Sequence, residues 1–261
     1  MDIIVCVKQV PDTTEVQIDP ETGTLIREGV PSIVNPFDLN AVEAALKLKE
    51  EHGGKVTVIT MGPPQAKDVL KECLAMGAEE AILVSDKEFA GADTWATSYT
   101  LAKAVEAIGN YDLVLCGKEA IDGDTAQTGP GIAEHLGIPQ VTYLQKIVKV
   151  EGEKMQVERV IDGGAETIEV PLPALMTCEK SLNEPRYATI KGTMKANKKE
   201  IPVYSAEDIK ADPESIGLKG SPTKVKRVFA PEKKKGGEII EGEPKEAVQT
   251  LVKKLQDVNI I

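Results

Sequence analysis

YDLVLCGKEAIDGDTAQTGPGIAEHLG, Tyr111 to Gly137, is the stretch on which the fold turns. It opens with the apolar run LVLC, which implies a strand buried on both faces. It closes with TGPGIAEHLG, which reads as a helix stopped by Gly137. The connection between them is long and polar and contains no lysine-bearing phosphate loop.

The same unit recurs along the first 140 or so residues. DIIVCV, KVTVIT and AILVS are apolar throughout. Between them stand the sets Leu39, Val42, Leu46; Ala66, Val69, Leu70, Cys73; and Leu101, Ala104, Val105, Ile108. Their spacing of three and four residues gives helices with one apolar stripe, so the fold class is α/β with a parallel sheet covered by helices. Pro63 and Pro64 suit a first turn, Asp93 and Asp124 are predicted to cap the helices after them, and Gly53, Gly77, Gly109 and Gly137 to end the helices before them. VQIDPETGTLIR, Val16 to Arg27, is predicted to form a hairpin or ordered excursion on the PETG turn.

After Tyr143 the pattern alternates instead: QKIVKV, EGEK, MQVERV, DGGAE, TIEV, PLPALMTC. Tight turns between alternating runs predict an antiparallel extension of the sheet. Lys, Glu, Gly and Pro dominate from Ala230 to Glu243, as in a linker, and a helix is predicted from about Pro244 to Asp257 with Ala247, Leu251 and Leu255 on one stripe. The expected organisation is therefore a domain over 1–229 and an arm over 230–261.

Composition narrows the function. The 261 residues are 41% hydrophobic, enough for a substantial core. A net charge of −11 and a pI near 4.9 argue against nucleic acid and anionic membranes as partners. No run approaches the ~20 apolar residues a membrane span needs, and Ile3 enters an apolar run without a signal peptide's basic flank, so the expected location is cytoplasmic. The four cysteines lack C-x-x-C spacing and are expected to be buried free thiols. His52 and His135, the only histidines, read as helix-surface residues and leave no room for a histidine-rich metal centre.

Ligands of open parallel sheets bind beyond the carboxyl ends of the strands. Cys6, Val7 and Lys8, then Met61 and Gly62, then Gly117 stand at such ends, and Asn35, Pro36, Phe37 and Asp38 open the first long helix. In the opening stretch Gly117, Gly123 and Gly129 would let a ligand approach the backbone, while Thr125, Gln127 and Thr128 supply donors beside a helix amino terminus. That set fits a pyrophosphate or nucleotide phosphate. Asp122 and Asp124 would repel it unless they cap a helix or hold a ribose hydroxyl, and a purely structural capped loop is the rival reading. Arg186, Lys191, Lys195, Lys198 and Lys199 form a basic set that is either a solvated loop or a surface for an acidic partner. Trp95 and Tyr99, one helical turn apart, read as packing rather than as a flavin platform.

VERVIDGGAETIEVPLPALMT, Val157 to Thr177, resembles the signature segment of electron transfer flavoprotein beta subunits. VCVKQVPD, NPFDLNAVEAAL, VTVITMGPP, ADTWATSYTLA, LVLCGKEAIDGDTAQTG and LNEPRYATIKGTMKANKKEIPV extend the resemblance over nearly the whole chain. It implies a doubly wound, mostly parallel sheet similar to adenine nucleotide alpha-hydrolases, and a heterodimer with an alpha subunit that carries a redox FAD and is embraced by the carboxyl-terminal arm. The implied nucleotide pocket falls on Cys6, Val7, Lys8, Asn35 to Asp38, Met61, Gly62 and Gly117, and on Glu119, Ala120, Ile121, Asp122, Gly123, Asp124, Thr125, Ala126, Gln127, Thr128 and Gly129. Gln127, Thr128 and Gly129 would hold pyrophosphate, Asp122 and Thr125 the ribose or ribityl part, and Cys6, Val7 and Lys8 the pocket floor.

Ordinary members hold AMP there. The form IDGDTAQTGPGIAEHLGIPQVT resembles the electron-bifurcating branch, which implies a second FAD, NADH as donor, ferredoxin or flavodoxin as one acceptor, and an acyl-CoA dehydrogenase-type flavoenzyme as the other. No side chain of the chain need act as a catalytic nucleophile. A recognition loop over Tyr187 to Lys199 is implied, with Ile190 as apolar anchor and Tyr187, Lys191, Met194 and Lys195 around it. Two other classes compete. A solitary nucleotide-binding regulator similar to universal stress proteins would not need the terminal arm, and a pyrophosphate-splitting ligase would need a Ser-Gly loop where KQVPDT stands.

Overall fold

The computed structural model describes residues 1–12, 17–18, 25–26, 31–226 and 237–261, with 17–18 and 25–26 as backbone alone. The first strand, β1 (Ile3–Cys6), is followed by β2 (Gln9–Pro11), β3 (Gln17–Ile18), β4 (Leu25–Ile26) and β5 (Ser32–Val34). Then come α1 (Pro36–His52), β6 (Val56–Met61), α2 (Lys67–Met76), β7 (Glu80–Val84), α3 (Thr94–Ile108), β8 (Leu113–Gly117) and α4 (Thr128–Leu136). The second half holds β9 (Gln140–Glu151), β10 (Lys154–Ile161), β11 (Gly164–Pro171), β12 (Ala174–Cys178), α5 (Ile190–Lys198), β13 (Val203–Tyr204) and α6 (Pro244–Asp257).

Nine strands form one sheet in the order β11-β10-β9-β12-β8-β1-β6-β7-β13. From β9 to β13 every pairing is parallel; β9, β10 and β11 are antiparallel. The chain builds outward from β1 through β6 and β7, then returns to lay β8 on the other side of β1. The topological switch point therefore lies between β1 and β8.

Alternation along β1 shows why both faces must be covered. Ile3 and Val5 enter one core with Val42 and Leu46 of α1 and Leu70 of α2, whereas Ile4 and Cys6 enter the other with Leu101 and Val105 of α3 and Ile132 of α4. All four cysteines are free and buried. Among the described residues no helix is long and apolar enough to cross a membrane.

Several expected punctuation marks hold. Asp93 caps α3 by accepting from the Trp95 and Ala96 amides at 3.0 and 3.1 Å. Gly137, with φ of 64°, ends α4 in a left-handed turn that a side chain would strain. Trp95 and Tyr99 pack on the His135 ring, with centroids 4.5 and 5.5 Å apart, on the surface shared by α3 and α4.

Four expectations need correction or completion. Asp124 does not cap α4: it has a φ of 48° and sits four residues before the helix begins at Thr128. PLPALMTC does not end the antiparallel extension, because β12 turns back and inserts between β8 and β9, parallel to both. The segment from Tyr187 to Lys199 is largely helical, since Thr189 accepts from the Gly192 amide and caps α5. Within the excursion, the backbones of β3 and β4 pair antiparallel, while the PETG turn lies outside the described residues. The linker's first part also lies outside them; α6 covers the predicted helix and buries none of its residues.

Candidate functional site

The crevice above the switch point is built by buried polar groups of α1. Asp38, in the first turn of α1, accepts hydrogen bonds from the Lys8 amide and the Gly117 amide, each at 2.8 Å. Those amides follow β1 and end β8, so one carboxylate ties the two sides of the switch point together. Asn35 accepts from the Ile121 amide at 3.2 Å and donates to the Glu119 carbonyl at 2.8 Å, which fixes the start of the connection after β8. Asn35 and Asp38 are thus spent on the crevice walls, and NPFD shapes the site from beneath.

Burial pushes the Asp38 carboxyl up to about 7, against the opposing pull of hydrogen bonds from Asn35, Lys8 and Gly117. Burial, with the nearby Asp38 charge, likewise pushes the Cys6 thiol up to about 12, and Cys116 beside it is raised as well. Thiols held so far from ionisation are packing groups, not nucleophiles.

The glycines divide by role. A methyl at Gly129 would lie 2.6 Å from Thr177 Cγ2 and 2.9 Å from Cys116 Sγ, and one at Gly117 would strike Asp38 and Phe37. Their bareness serves contacts inside the protein. Gly123 alone of the three opens onto free space, since a methyl there meets nothing within 4 Å.

The connection over 118–127 carries unusual backbone. Asp124 and Ala126 have φ of 48° and 53°, conformations that non-glycine residues adopt at a cost of about 1–3 kcal/mol. α4 then begins at Thr128 with no side chain capping it. Its first amides keep their hydrogen-bonding capacity and the positive end of the helix dipole, which is the chemistry that receives an anion. Gln127 accepts from the Thr94 hydroxyl at 3.1 Å and so lies at the head of α3.

Lys8 and Asp122 face each other across the crevice. The ammonium meets both carboxylate oxygens, at 2.6 and 2.8 Å, from a half-exposed position. Asp122 is thereby neutralised locally, which answers the concern that it would repel phosphate. Val7 is buried at the end of β1, and Met61 and Gly62 stand half-buried at the end of β6, where the Gly62 amide bonds to Val84. The structure brings together Cys6, Val7, Lys8, Asn35 to Asp38 and the residues from Gly117 to Gly129.

Sequence reasoning passed over Lys118 and Tyr143. The Lys118 ammonium lies 5.7 Å from the Phe37 ring and 5.5 Å from the Tyr143 ring, between Glu119 and Glu179. Lys180 covers Phe37 at 4.7 Å. Lys118 sits inside the quoted motif, so its position was legible; Tyr143, with φ of 59° in β9, gave no signal in sequence.

Tyr187, Ile190 and Met194 are 95%, 84% and 60% exposed on and beside α5. Lys191 and Lys195 lie on the same short helix. Arg186 leaves the basic set: its guanidinium bonds to Glu43 and Glu50 of α1 at 2.8 and 2.5 Å, which anchors the segment to the domain. A cleft of about 440 Å³ bounded by Met1, His52, Asp112 and Pro173 opens at the opposite, amino ends of the strands and shares no residue with the crevice. Among the described residues no group of His, Cys, Asp and Glu is placed to hold a metal ion.

A mostly parallel sheet whose switch point is braced by a buried carboxylate and overlooked by an uncapped helix defines a doubly wound α/β domain. Residues 22–209 match the electron transfer flavoprotein domain, and the chain belongs to that family. It is 57% identical to the electron transfer flavoprotein subunit beta of Thermoanaerobacterium thermosaccharolyticum, with all of both chains covered. It is similar over the full length of both chains to the caffeyl-CoA reductase-Etf complex subunit CarD of Acetobacterium woodii, at 56% identity, and to the acryloyl-CoA reductase electron transfer subunit gamma of Anaerotignum propionicum, at 46%. The chain is a beta subunit of the family, which implies an alpha subunit as partner.

Proposed function

We propose that the crevice binds FAD and that the chain, with its alpha subunit, is an electron-bifurcating flavoprotein. The observation that carries the nucleotide reading is the convergence of uncapped α4, the open backbone at Gly123 and the Lys8 ammonium on one crevice at the switch point. These residues fit a pyrophosphate, because amides and a helix dipole complement its charge, and the Lys8 ammonium cancels the Asp122 carboxylate that would oppose it. The amides at Thr128 and Gly129 would hold it, with Lys8 opposite, and Asp122 and Thr125 would orient the ribose or ribityl hydroxyls. Asp38 and Asn35 would act as positioning residues through the backbone they hold.

FAD held there would supply hydride acceptance from NADH and one-electron delivery, to ferredoxin or flavodoxin and, by way of the alpha-subunit FAD, to an acyl-CoA dehydrogenase-type flavoenzyme. Full-length likeness to subunits named for caffeyl-CoA and acryloyl-CoA reductase complexes favours this branch over an AMP-holding carrier. The exposed apolar residues of α5 would meet the flavoenzyme, and the arm over 230–261 would dock on the alpha subunit through the stripe of Ala247, Leu251 and Leu255.

The test is to purify the chain with its alpha subunit, denature the complex and quantify released nucleotides by chromatography. Two FAD and no AMP per heterodimer is the expected result. One FAD with one AMP would make the chain an ordinary carrier subunit and remove the NADH reaction from it.

A further inference from the structure

The surface shared by α2 and α5 has a charge opposite to that of the chain as a whole. α5 lies so close on α2 that Gly192 rests against the Ala75 carbonyl, and Ala196 is buried in the contact. Past that contact, where α5 ends and α2 begins, a cleft of about 680 Å³ opens between Lys67, Lys71, Asn197, Lys199 and one carboxylate, Glu200, with Ile201 and Pro202 along its side. Lys67 and Lys71 are four residues apart, so their stems lie side by side on one helix face.

Some of the described lysines are paired, Lys49 with Glu79 and Lys55 with Glu80 at 3.1 Å, and others, such as Lys87, Lys146 and Lys210, are not. Among the described residues Lys67, Lys71, Lys191, Lys195 and Lys198 have no carboxylate at salt-bridge distance. Lys199 bonds to the Glu79 carbonyl and keeps its charge. Over α2 and residues 190–200, six lysines stand against the three carboxylates of Asp68, Glu72 and Glu200, in a chain of net charge −11.

We propose that this cleft seats an acidic segment of the protein partner that α5 meets, with spaced carboxylates of that segment lying on Lys67 and Lys71. The proposal rests on the reading of α5 as a partner-facing helix, and adds a second point of contact on α2. An apolar centre at Tyr187, Ile190 and Met194 beside a charged rim is the anatomy of a protein interface. Separate ammonium groups on flexible stems suit carboxylates distributed along a chain, and they steer encounter over a distance set by the ionic strength.

The experiment measures, by stopped flow, electron transfer from the complete heterodimer to a purified acyl-CoA dehydrogenase-type flavoenzyme, at about 20 mM and about 500 mM salt. Lys67→Glu/Lys71→Glu should lower the second-order rate constant about tenfold or more at low salt and approach wild type at high salt. Lys67→Gln/Lys71→Gln should fall between, which separates charge from any loss of folding. Ile190→Asp should slow transfer at both salts. A charge-reversed variant within about twofold of wild type at low salt, with Ile190→Asp still slow, would overturn the cleft and leave the α5 reading standing. No effect of Ile190→Asp, or no transfer by the wild type, would defeat the α5 reading and the cleft with it.

Discussion

The crevice and the terminal arm use their residues in opposite ways. At the crevice, polar groups turn inward and satisfy one another: Asp38 holds Lys8 and Gly117, and Asn35 holds Glu119 and Ile121. In the arm, apolar groups turn outward. Val248, Leu251 and Val252 of α6 are exposed, and among the described residues the arm's ion pair, Lys254 with Glu238, lies within itself. A buried polar network is complete in one chain, whereas an unburied apolar stripe is incomplete without another surface. Substitutions in the first region should therefore act on folding and in the second on association.

Asp38→Ala tests the contrast most severely. It strands two backbone amides, one of them fully buried, and should cost about 2–4 kcal/mol of unfolding free energy, read from urea denaturation. Nucleotide content of the purified complex should fall with it. Gly129→Ala follows, at about 1–3 kcal/mol, because its methyl would press on Thr177 and Cys116 behind the helix that opens the site.

A titration sharpens the same side of the comparison. The Asp38 pKa of about 7 lies above its ordinary 3.8, so the folded chain holds this proton more tightly than the unfolded chain. Its stabilising contribution is complete below about pH 4 and is lost as pH rises through about 7. Urea unfolding between about pH 5 and 8 should show that loss, and Asp38→Asn should flatten that part of the profile. The smallest effect on stability is expected from Leu251→Ser in α6, within about 0.5 kcal/mol for the chain alone, while recovery of the alpha subunit by co-purification should drop. A large loss of stability in the isolated chain would mean that the arm packs at home and would erase the contrast.

Much of the fold was legible because its signals are local. Apolar runs and helical stripes placed the parallel strands and helices, and Asp93 and Gly137 marked boundaries where expected. Asp124 misled because a carboxylate before a helix looks like a cap whether or not the backbone reaches the helix in time; here three more residues intervene. The α5 segment reads as loop because Gly192 and a string of lysines hide the Thr189 cap. The insertion of β12 had no local signature at all, since its neighbours are set by pairing across the long β10 and β11 ribbon. At the crevice, residue types were readable but their partners were not: nothing in NPFD says that its carboxylate faces two amides rather than a ligand.

The position of β12 also sets an order of events during synthesis. Thr177 and Cys178 come late in the chain, yet Thr177 backs Gly129 and the Cys178 carbonyl receives the Lys118 amide at 2.9 Å. Until residue 178 has left the ribosome, β8 lacks its outer neighbour and the 118–127 connection lacks its floor. The nascent domain must hold β8 unpaired on that side while some sixty further residues are made, an exposed edge of the kind that chaperones shield.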